Sequence, residues 1–254
     1  MSPNIILITG AIGGLGSALA KRYAKPGVHL LLHGRNTELL NGLATHCRDS
    51  GAEVTTLVMD LRDIPALQNK LAEIVAHSLP DLVIANAGIN INHGSHREGE
   101  SWQAIEALLD VNIKSTLALV NALLPAMRMR GSGQIALISS LAAYYGISVT
   151  PSYSASKAAI KNYGEAMRGW LVRDGIRVNV VMPGYVKSDM ADAMPGPKPF
   201  MLTPEKAADI IAKGLEKNQA RISFPFPINV GTWLLAVFPA GLSQWLVQRC
   251  GYGG

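Results

Sequence analysis

The sequence predicts an α/β fold, a doubly wound parallel sheet of seven strands flanked by helices, in a single domain that covers residues 1–254. Three observations predict it. The chain has 254 residues, of which 48% are hydrophobic, enough for one substantial core. Short β-like runs alternate with helical stretches along the chain. Several of these runs are continuously apolar, as at residues 5–8 and 82–84, which is typical of strands that helices cover on both faces.

Right-handed crossovers between successive strands would give the doubly wound arrangement. The predicted strands occupy residues 4–9, 28–33, 53–59, 81–85, 134–139, 176–182 and 221–224. Helices are expected over residues 17–25 and 151–173. Neither an internal repeat nor a linker interrupts the alternation, so one domain is expected.

The charge and cysteine content disfavour several classes of function. The formal net charge is +5 and the isoelectric point about 9.2, but the basic residues are scattered. We therefore expect attraction for a small anionic ligand and no nucleic acid binding. Cys47 and Cys250 are the only cysteines, too few for a disulfide framework or a metal cluster. No signal-type segment precedes the first strand, so a cytoplasmic location is expected.

A glycine-rich loop follows the first predicted strand. Gly10, Gly14 and Gly16 have the spacing G-x-x-x-G-x-G and precede a predicted helix. Glycines let the backbone turn sharply and approach a pyrophosphate, which the N–H groups and the positive end of the helix stabilise. The loop predicts a dinucleotide site, although by itself it is also compatible with a tight turn.

The end of the second strand bears on which dinucleotide binds. Proteins that bind NAD usually have an acidic residue here, which holds the adenosine ribose. This chain has Gly34, Arg35 and Asn36 instead. Arg35 offers a planar group suited to a 2′-phosphate, so NADP(H) is the preferred cofactor and NAD(H) the alternative. The competing interpretation is that Arg35 is an ordinary surface residue near Glu38.

Tyr153 and Lys157 form a candidate proton-transfer pair. In the predicted helix they are i and i+4 neighbours on one face. A nearby cation favours the phenolate, so Lys157 is expected to lower the pKa of Tyr153 and make it usable as a general acid or base. Ser140 lies thirteen positions upstream of Tyr153. Tyr and Lys also occur at this spacing by chance on many helices.

Together these motifs resemble the short-chain dehydrogenase/reductase family, in its single-domain form with TGxxxGxG and YxxxK motifs. The resemblance spans nearly the whole chain and implies a Rossmann-type fold. Further family signposts follow in order: Asp60, Asn86-Ala87-Gly88, Asn112, Ser140 and Pro183-Gly184. Two positions depart from the pattern. Ala85 replaces the Asn that often precedes Asn-Ala-Gly, and Gly13 stands where some NADPH users carry a cation.

The resemblance implies a catalytic tetrad. Ser140 would hydrogen-bond the substrate oxygen, Tyr153 would donate or remove its proton, and Lys157 would also hold the nicotinamide ribose. Asn112 would hold a water that relays protons. Ser139 is expected to complete the strand end rather than to replace Ser140. The implied activity is NADP(H)-dependent interconversion of a carbonyl and an alcohol by hydride transfer, without a metal.

The resemblance also implies where the cofactor lies. Asp60 would contact the adenine edge, and Ser188 stands where the family commonly has a Thr bonded to the carboxamide. The full set of expected cofactor contacts is Gly10, Ile12, Gly13, Gly14, Leu15, Gly16, Gly34, Arg35, Asn36, Asp60, Leu61, Asn86, Ala87, Gly88, Tyr153, Lys157, Pro183, Gly184, Val186 and Ser188.

The substrate side is expected to include a Met- and Pro-rich lid at residues 190–203. Nearby residues favour an apolar carbonyl or alcohol, although they are equally compatible with core packing. These residues are Tyr144, Tyr145, Ile147, Tyr185 and Phe200. His93 and His96 lack further ligand residues nearby, so they are interpreted as loop residues beside the cleft and no metal site is expected.

Residues 225–254 form an apolar C-terminal extension. No charged residue occurs between Arg221 and Arg249. Three prolines break the stretch into pieces too short to span a membrane: Pro225, Pro227 and Pro239. Two broken apolar helices would instead cover the substrate pocket or a partner subunit, or make peripheral membrane contact through residues 225–249.

The expected partners are a small-molecule carbonyl or alcohol and further copies of the chain, as a homodimer or homotetramer. The alternative function is a catalytically silent dinucleotide-binding regulator or scaffold with the same fold. An isomerase or epimerase matches less well, because such relatives usually carry an added substrate domain. Membrane association is the alternative to a purely cytoplasmic location.

Overall fold

A single sheet of seven parallel strands crosses the part of the chain that this computed structural model describes, residues 3–92 and 99–252. The strands are β1 (Ile5–Ile8), β2 (His29–Gly34), β3 (Glu53–Val58), β4 (Leu82–Ala85), β5 (Gly133–Ile138), β6 (Ile176–Pro183) and β7 (Arg221–Phe224). Their order is β3-β2-β1-β4-β5-β6-β7. The predicted doubly wound sheet is confirmed. The order reverses between β1 and β4, the point at which such folds bind their ligands.

Helices connect the strands and cover both faces of the sheet. They are α1 (Gly14–Tyr23), α2 (Thr37–Asp49), α3 (Ile64–His77), α4 (Trp102–Leu109), α5 (Ser115–Arg130), α6 (Pro151–Leu171), α7 (Asp189–Asp192), α8 (Pro204–Glu216), α9 (Ile228–Val237) and α10 (Ala240–Val247). A π-helical turn at Asp110–Lys114 joins α4 to α5, and a kinked segment at Gln248–Tyr252, with Gly251 in the left-handed region, follows α10. The helix predicted over residues 151–173 corresponds to α6 and the 3-10 turn Val172–Asp174.

Helix α1 begins earlier than the predicted helix over residues 17–25. It starts at Gly14, because the Ser17 N–H donates to the Gly13 carbonyl oxygen 2.8 Å away and closes the first turn. The helix ends at Tyr23, because Ala24 takes an extended backbone conformation. The last two glycines of the loop therefore belong to the first turn of the helix.

The core consists of two layers, one on each face of the sheet. Alternation along β2 shows the division: Leu30 and Leu32 pack toward α1, α2 and α8, whereas Leu31 packs toward α3, α5 and α6. Continuous apolar strands are required because both layers exclude water. The two layers cover the faces of the sheet, and the carboxyl ends of its strands form the site.

The C-terminal extension folds as two short helices, α9 and α10, separated at Pro239 as predicted. Among the described residues, one helical stretch is long and apolar enough to cross a membrane by length and composition, Trp102–Arg130. Its α5 portion supplies Leu119, Leu123 and Met127 to the core. Burial in the core accounts for that apolar composition.

Candidate active site

One cavity of about 770 Å³ lies at the carboxyl ends of the strands. Its wall contains every predicted catalytic and cofactor residue except Asn36 and Asn112. The side chain of Asn36 instead accepts a hydrogen bond from the Leu39 N–H, 3.0 Å away, and caps α2. Asn112 is buried behind the cavity, at 1% exposure.

Tyr153 and Lys157 lie one turn apart near the start of α6. Tyr153 is half-buried and Lys157 is buried, and both belong to the cavity wall. The Lys157 Nζ lies 5.6 Å from the centre of the Tyr153 ring and donates to the Ile138 carbonyl oxygen, 3.0 Å away. The Ser139 hydroxyl donates to the Lys157 carbonyl oxygen at 2.7 Å. Ser139 therefore ties β5 to α6, in keeping with the prediction that it completes the strand end.

The pKa of Tyr153 differs from the sequence-based prediction that Lys157 would lower it. Burial raises the pKa of Tyr153 to about 12, and a hydrogen bond with Ser140 lowers it less. Burial also lowers the pKa of Lys157 to about 8. Lys157 does not lower the pKa of Tyr153 overall, because its ammonium is turned toward the Ile138 carbonyl and desolvation of the phenolate is the larger effect.

Ser140 stands at the end of β5, opposite Tyr153. Its hydroxyl oxygen accepts the Ala142 N–H at 3.2 Å, and the same hydroxyl lies 3.5 Å from the Pro183 carbonyl oxygen. These contacts come from the 3-10 turn Leu141–Ala143 and from the end of β6. Two strand ends thus aim this hydroxyl into the cavity.

Asn112 lies in the π-helical turn and joins two segments of the site. Its Oδ1 accepts the Ile89 N–H at 2.8 Å, and its Nδ2 donates to the Ile89 carbonyl oxygen and to the Ser156 hydroxyl, both at 3.0 Å. A Cβ added at Gly88 would come within 3.3 Å of both Asn112 Oδ1 and Lys157 Nζ. A side chain at Gly88 would therefore press against both groups, and the segment after β4 passes closely between them.

The glycine loop forms a cradle that side chains would fill. Gly10 has a φ of +63°, and a Cβ added at Gly16 would lie 2.2 Å from the Gly10 carbonyl oxygen. Asn86 Nδ2 donates to the carbonyl oxygens of Thr9 and Gly10, at 3.0 and 3.1 Å. No side chain caps the start of α1. The exposed N–H groups and the space over the loop fit a dinucleotide pyrophosphate.

His33 was not among the predicted site residues, yet it holds the glycine loop in place. The Gly10 N–H donates to its Nδ1 at 3.2 Å, and its Nε2 lies 3.1 Å from the Met59 carbonyl oxygen. Burial lowers its pKa. The available signal was a polar residue, His33, directly after three consecutive leucines in β2.

Arg35 and Asp60 line the cavity just beyond the ends of β2 and β3. Arg35 is exposed, and none of the ion pairs found among the described residues joins it to Glu38. Asp60 forms an ion pair of 2.6 Å with Arg62, which holds the pKa of its carboxyl at about 2. Sequence reasoning missed Arg62, because the pairing depends on how the chain turns after β3.

The substrate side contains only some of the expected residues. Tyr145, Ile147 and Tyr185 line the cavity, whereas Tyr144 and Phe200 do not. Tyr144 packs near Lys161, whose Nζ lies 5.9 Å from its ring, and Phe200 is exposed. The lid contributes Met190, Ala191, Met194 and Pro199 to the cavity wall. Helices α9 and α10 contribute Ile228, Gly231, Thr232, Leu234, Leu235, Leu246 and Val247.

His93 and His96 lie outside the described residues.

The wall of the cavity as a whole is largely apolar. Within the described ranges, no group of three or more His, Cys, Asp or Glu residues could hold a metal ion. The groups that can act chemically include the hydroxyls of Ser140 and Tyr153, the buried ammonium of Lys157 and the backbone N–H groups of the loop. This arrangement can bind an oxygen atom and exchange a proton with it beside a dinucleotide.

Comparisons with known proteins agree with this geometry. A sequence model described as short chain dehydrogenase matches residues 4–197. An uncharacterized oxidoreductase of Myxococcus xanthus is 32% identical over 98% of both chains. The ketoacyl reductase HetN of Nostoc is 32% identical over 87% of this chain and 78% of its own. A short-chain dehydrogenase from Sphingobium yanoikuyae, solved with NADPH, has a TM-score of 0.81 at 26% identity, covering 96% of this chain and 95% of that one.

Proposed function

The chain belongs to the short-chain dehydrogenase family and is an oxidoreductase, and on that premise we propose that it interconverts an apolar carbonyl compound and its alcohol with NADP(H). The observation that carries the proposal is the meeting of Ser140 and Tyr153 in one cavity with the glycine cradle. The dinucleotide supplies or accepts the hydride when bound.

Ser140 and Tyr153 would bind the substrate oxygen. Reduction places negative charge on this oxygen, and two hydroxyl donors stabilise it. Tyr153 holds a proton at neutral pH, since burial raises its pKa to about 12. In the reductive direction the Tyr153 hydroxyl is therefore already protonated and can donate to the developing alkoxide.

Lys157 and Asn112 would maintain the proton supply. Lys157, with a pKa of about 8, is close enough to neutrality to exchange protons during turnover. Asn112 positions the Ile89 segment and, through Ser156, the first turn of α6. By family resemblance it would also hold the water that returns a proton to Lys157.

NADP(H) is the proposed cofactor. The loop from Gly10 to Gly16 would hold the pyrophosphate, and exposed Arg35 would pair with the 2′-phosphate. The short-chain dehydrogenase from Sphingobium yanoikuyae was solved in complex with NADPH, which supports this choice. NAD(H) remains the alternative, because Arg35 is the main cation proposed for the phosphate.

An apolar substrate is proposed from the cavity wall. Leu141, Ile147, Met190 and Met194 surround the space next to Tyr153, and the inner faces of α9 and α10 extend it. Such walls favour binding through buried apolar area. The name of the Nostoc relative, a ketoacyl reductase, agrees with a ketone on an aliphatic chain.

The test is NADPH oxidation across a panel of ketones and aldehydes of increasing chain length. Wild-type turnover should increase toward longer aliphatic carbonyls, and Tyr153→Phe should reduce kcat/KM by roughly 100-fold or more with NADPH binding retained. Tyr163→Phe is the matched control, because Tyr163 is on the same helix but packs against the core. Full turnover by Tyr153→Phe would contradict the mechanism.

The same panel distinguishes the enzyme from a regulator. Tight NADPH binding without oxidation of any carbonyl would favour the catalytically silent alternative. We further propose, from the family resemblance, a cytoplasmic homodimer or homotetramer, which light scattering after size exclusion would test.

A further inference from the structure

The C-terminal helices separate two environments. Helix α9 contributes Ile228, Gly231, Thr232, Leu234 and Leu235 to the cavity wall, and α10 contributes Leu246 and Val247. All of these α9 residues except Leu234 follow the three- and four-residue spacing of one helix face. The inner faces of α9 and α10 therefore form a wall of the cavity that is one helix thick.

Phe226, just before α9, and several large apolar side chains of α9 and α10 are exposed to solvent. We call this surface the outer face, and it consists of Phe226, Val230, Trp233, Val237, Leu242 and Trp245. Phe226 is 78% exposed, Trp245 56% and Trp233 45%. No residue of helix α9 is fully buried, although most of its residues are apolar. A helix of this kind needs an apolar surrounding beyond its own fold.

The lid extends this surface. Met190, Phe200 and Met201 are exposed, and the turn after α10 lies against the lid, since a Cβ added at Gly251 would be 3.6 Å from Pro197. Met190 and Phe238 combine a place on the cavity wall with large exposed fractions, 39% and 38%. The cavity therefore reaches the surface both at the lid and at the corner between α9 and α10.

The charges around the outer face indicate what covers it. Residues 222–248 carry no charge, and exposed Arg249 follows directly. The whole chain has a net charge of +5. An interface with a second protein copy normally includes a polar rim and about one hydrogen bond per 100–200 Å². Exposed tryptophans on two short charge-free helices, in a basic protein, match an anionic bilayer surface better.

We propose that the outer face docks on the surface of an anionic phospholipid bilayer. The outer face enters the headgroup region, and a carbonyl compound dissolved in the membrane passes between Met190 and Phe238 into the cavity. This proposal rests on the proposed function for its substrate, but the docking itself does not require turnover.

Vesicle flotation tests the docking. The full chain is mixed with vesicles of phosphatidylcholine and phosphatidylglycerol, and the double variant Trp233→Glu/Trp245→Glu is compared with it. Wild type should float, and the double variant should lose roughly tenfold or more of its binding, since two charged groups replace aromatic anchors. Trp170→Glu is the matched control, because Trp170 is 56% exposed and lies on α6 about 25 Å from Tyr153.

Folding and catalysis are measured separately. NADPH binding and turnover of a short, water-soluble ketone should be equal in all three proteins, whereas kcat/KM for a long-chain ketone supplied in vesicles should fall only in the double variant. If that variant misfolds, Phe226→Ser/Val237→Ser changes the same face without a charge and should lose flotation in the same way.

Three outcomes would overturn the docking: a wild type that does not float, equal flotation by wild type and a folded outer-face variant, or equal loss in Trp170→Glu. A fall in oligomeric mass in the double variant, together with no flotation of wild type, would assign the face to a second copy instead. Flotation that depends on the outer face without oxidation of any carbonyl would retain the docking and remove the proposed function.

Discussion

The Nδ1 of His33 accepts a hydrogen bond from the backbone N–H of Gly10, 3.2 Å away. The N–H group can only donate, so Nδ1 must be unprotonated and Nε2 carries the hydrogen that faces the Met59 carbonyl oxygen at 3.1 Å. One neutral, buried ring thus connects the glycine loop with the ends of β2 and β3.

Replacing His33 should make stability less dependent on pH. His33→Phe leaves the Gly10 N–H without its acceptor and should lower the free energy of unfolding by roughly 1–3 kcal/mol at pH 7. Burial lowers the pKa of His33 below 6.5, so its stabilisation is complete above pH 6.5 and is lost as the pH falls through the lower folded-state pKa. Urea unfolding should show the gap between the two proteins narrowing in acid. His77→Gln, an exposed position, should parallel wild type, and a gap independent of pH would contradict this role.

Arg35 should determine the preference for NADPH. Arg35→Asp removes the proposed partner of the 2′-phosphate and adds repulsion, so the Kd for NADPH should rise roughly 10- to 100-fold. The Kd for NADH should change much less. Arg173→Asp makes the same charge change at an exposed residue at the far end of α6 and should leave both constants unaltered. Equal losses for the two dinucleotides in Arg35→Asp would refute the assignment.

Gly16 should tolerate no side chain. The Cβ of Gly16→Ala would lie 2.2 Å from the Gly10 carbonyl oxygen, so the loop must shift, at a cost of roughly 1–3 kcal/mol in stability, with loss of NADPH binding. Gly42→Ala, in α2, meets nothing within 4 Å and should be neutral or stabilising by roughly 0.5–1 kcal/mol. Thermal unfolding with and without NADPH measures both. Normal NADPH binding by Gly16→Ala would show that the loop can accommodate a side chain at this position, and would contradict the prediction.

The buried ammonium of Lys157 should lower the stability of the folded protein, although catalysis requires it. Burial lowers its pKa from 10.5 to about 8, so the folded protein carries a disfavoured charge below pH 8 and recovers stability as the pH rises toward 10.5. Lys157→Met should therefore be more stable than wild type at pH 7 by roughly 1–3 kcal/mol, with the difference shrinking in alkali, while turnover falls roughly 100-fold or more. Lys161→Met removes an ion pair with Glu165 on the same helix and should keep turnover. A destabilised Lys157→Met at pH 7 would contradict the account.

The sheet and the residues around its carboxyl edge could be predicted from sequence because they follow from periodicity and local spacing. Apolar runs such as residues 5–8 require two covered faces, and the i and i+4 relation of Tyr153 and Lys157 holds for any helix. The family resemblance then indicated Ser140 and Asn112, which local patterns alone do not distinguish.

What sequence reasoning missed depends on the folded geometry. The contact between His33 and Gly10 joins residues 23 positions apart, and its register is defined only once β1 and β2 pair. The pKa of Tyr153 was expected to fall because a cation is near in sequence. Desolvation is a property of the whole cavity, and it raises the pKa instead. Phe200 is expected near the substrate from the sequence, but its side chain is exposed. Its backbone is left-handed, with a φ of 55°.

The π-helical turn Asp110–Lys114 has a consequence for how this chain can vary in length. A π turn closes over five residues where an α turn closes over four, so deleting one residue there would leave an ordinary helix and keep α4 and α5 in their packed orientations. The deletion would withdraw Asn112 from Ile89 and Ser156, to which it is hydrogen-bonded. The link that this side chain makes between the segment after β4 and α6 would then be gone. The extra residue of this one helix is therefore what lets Asn112 join the two segments.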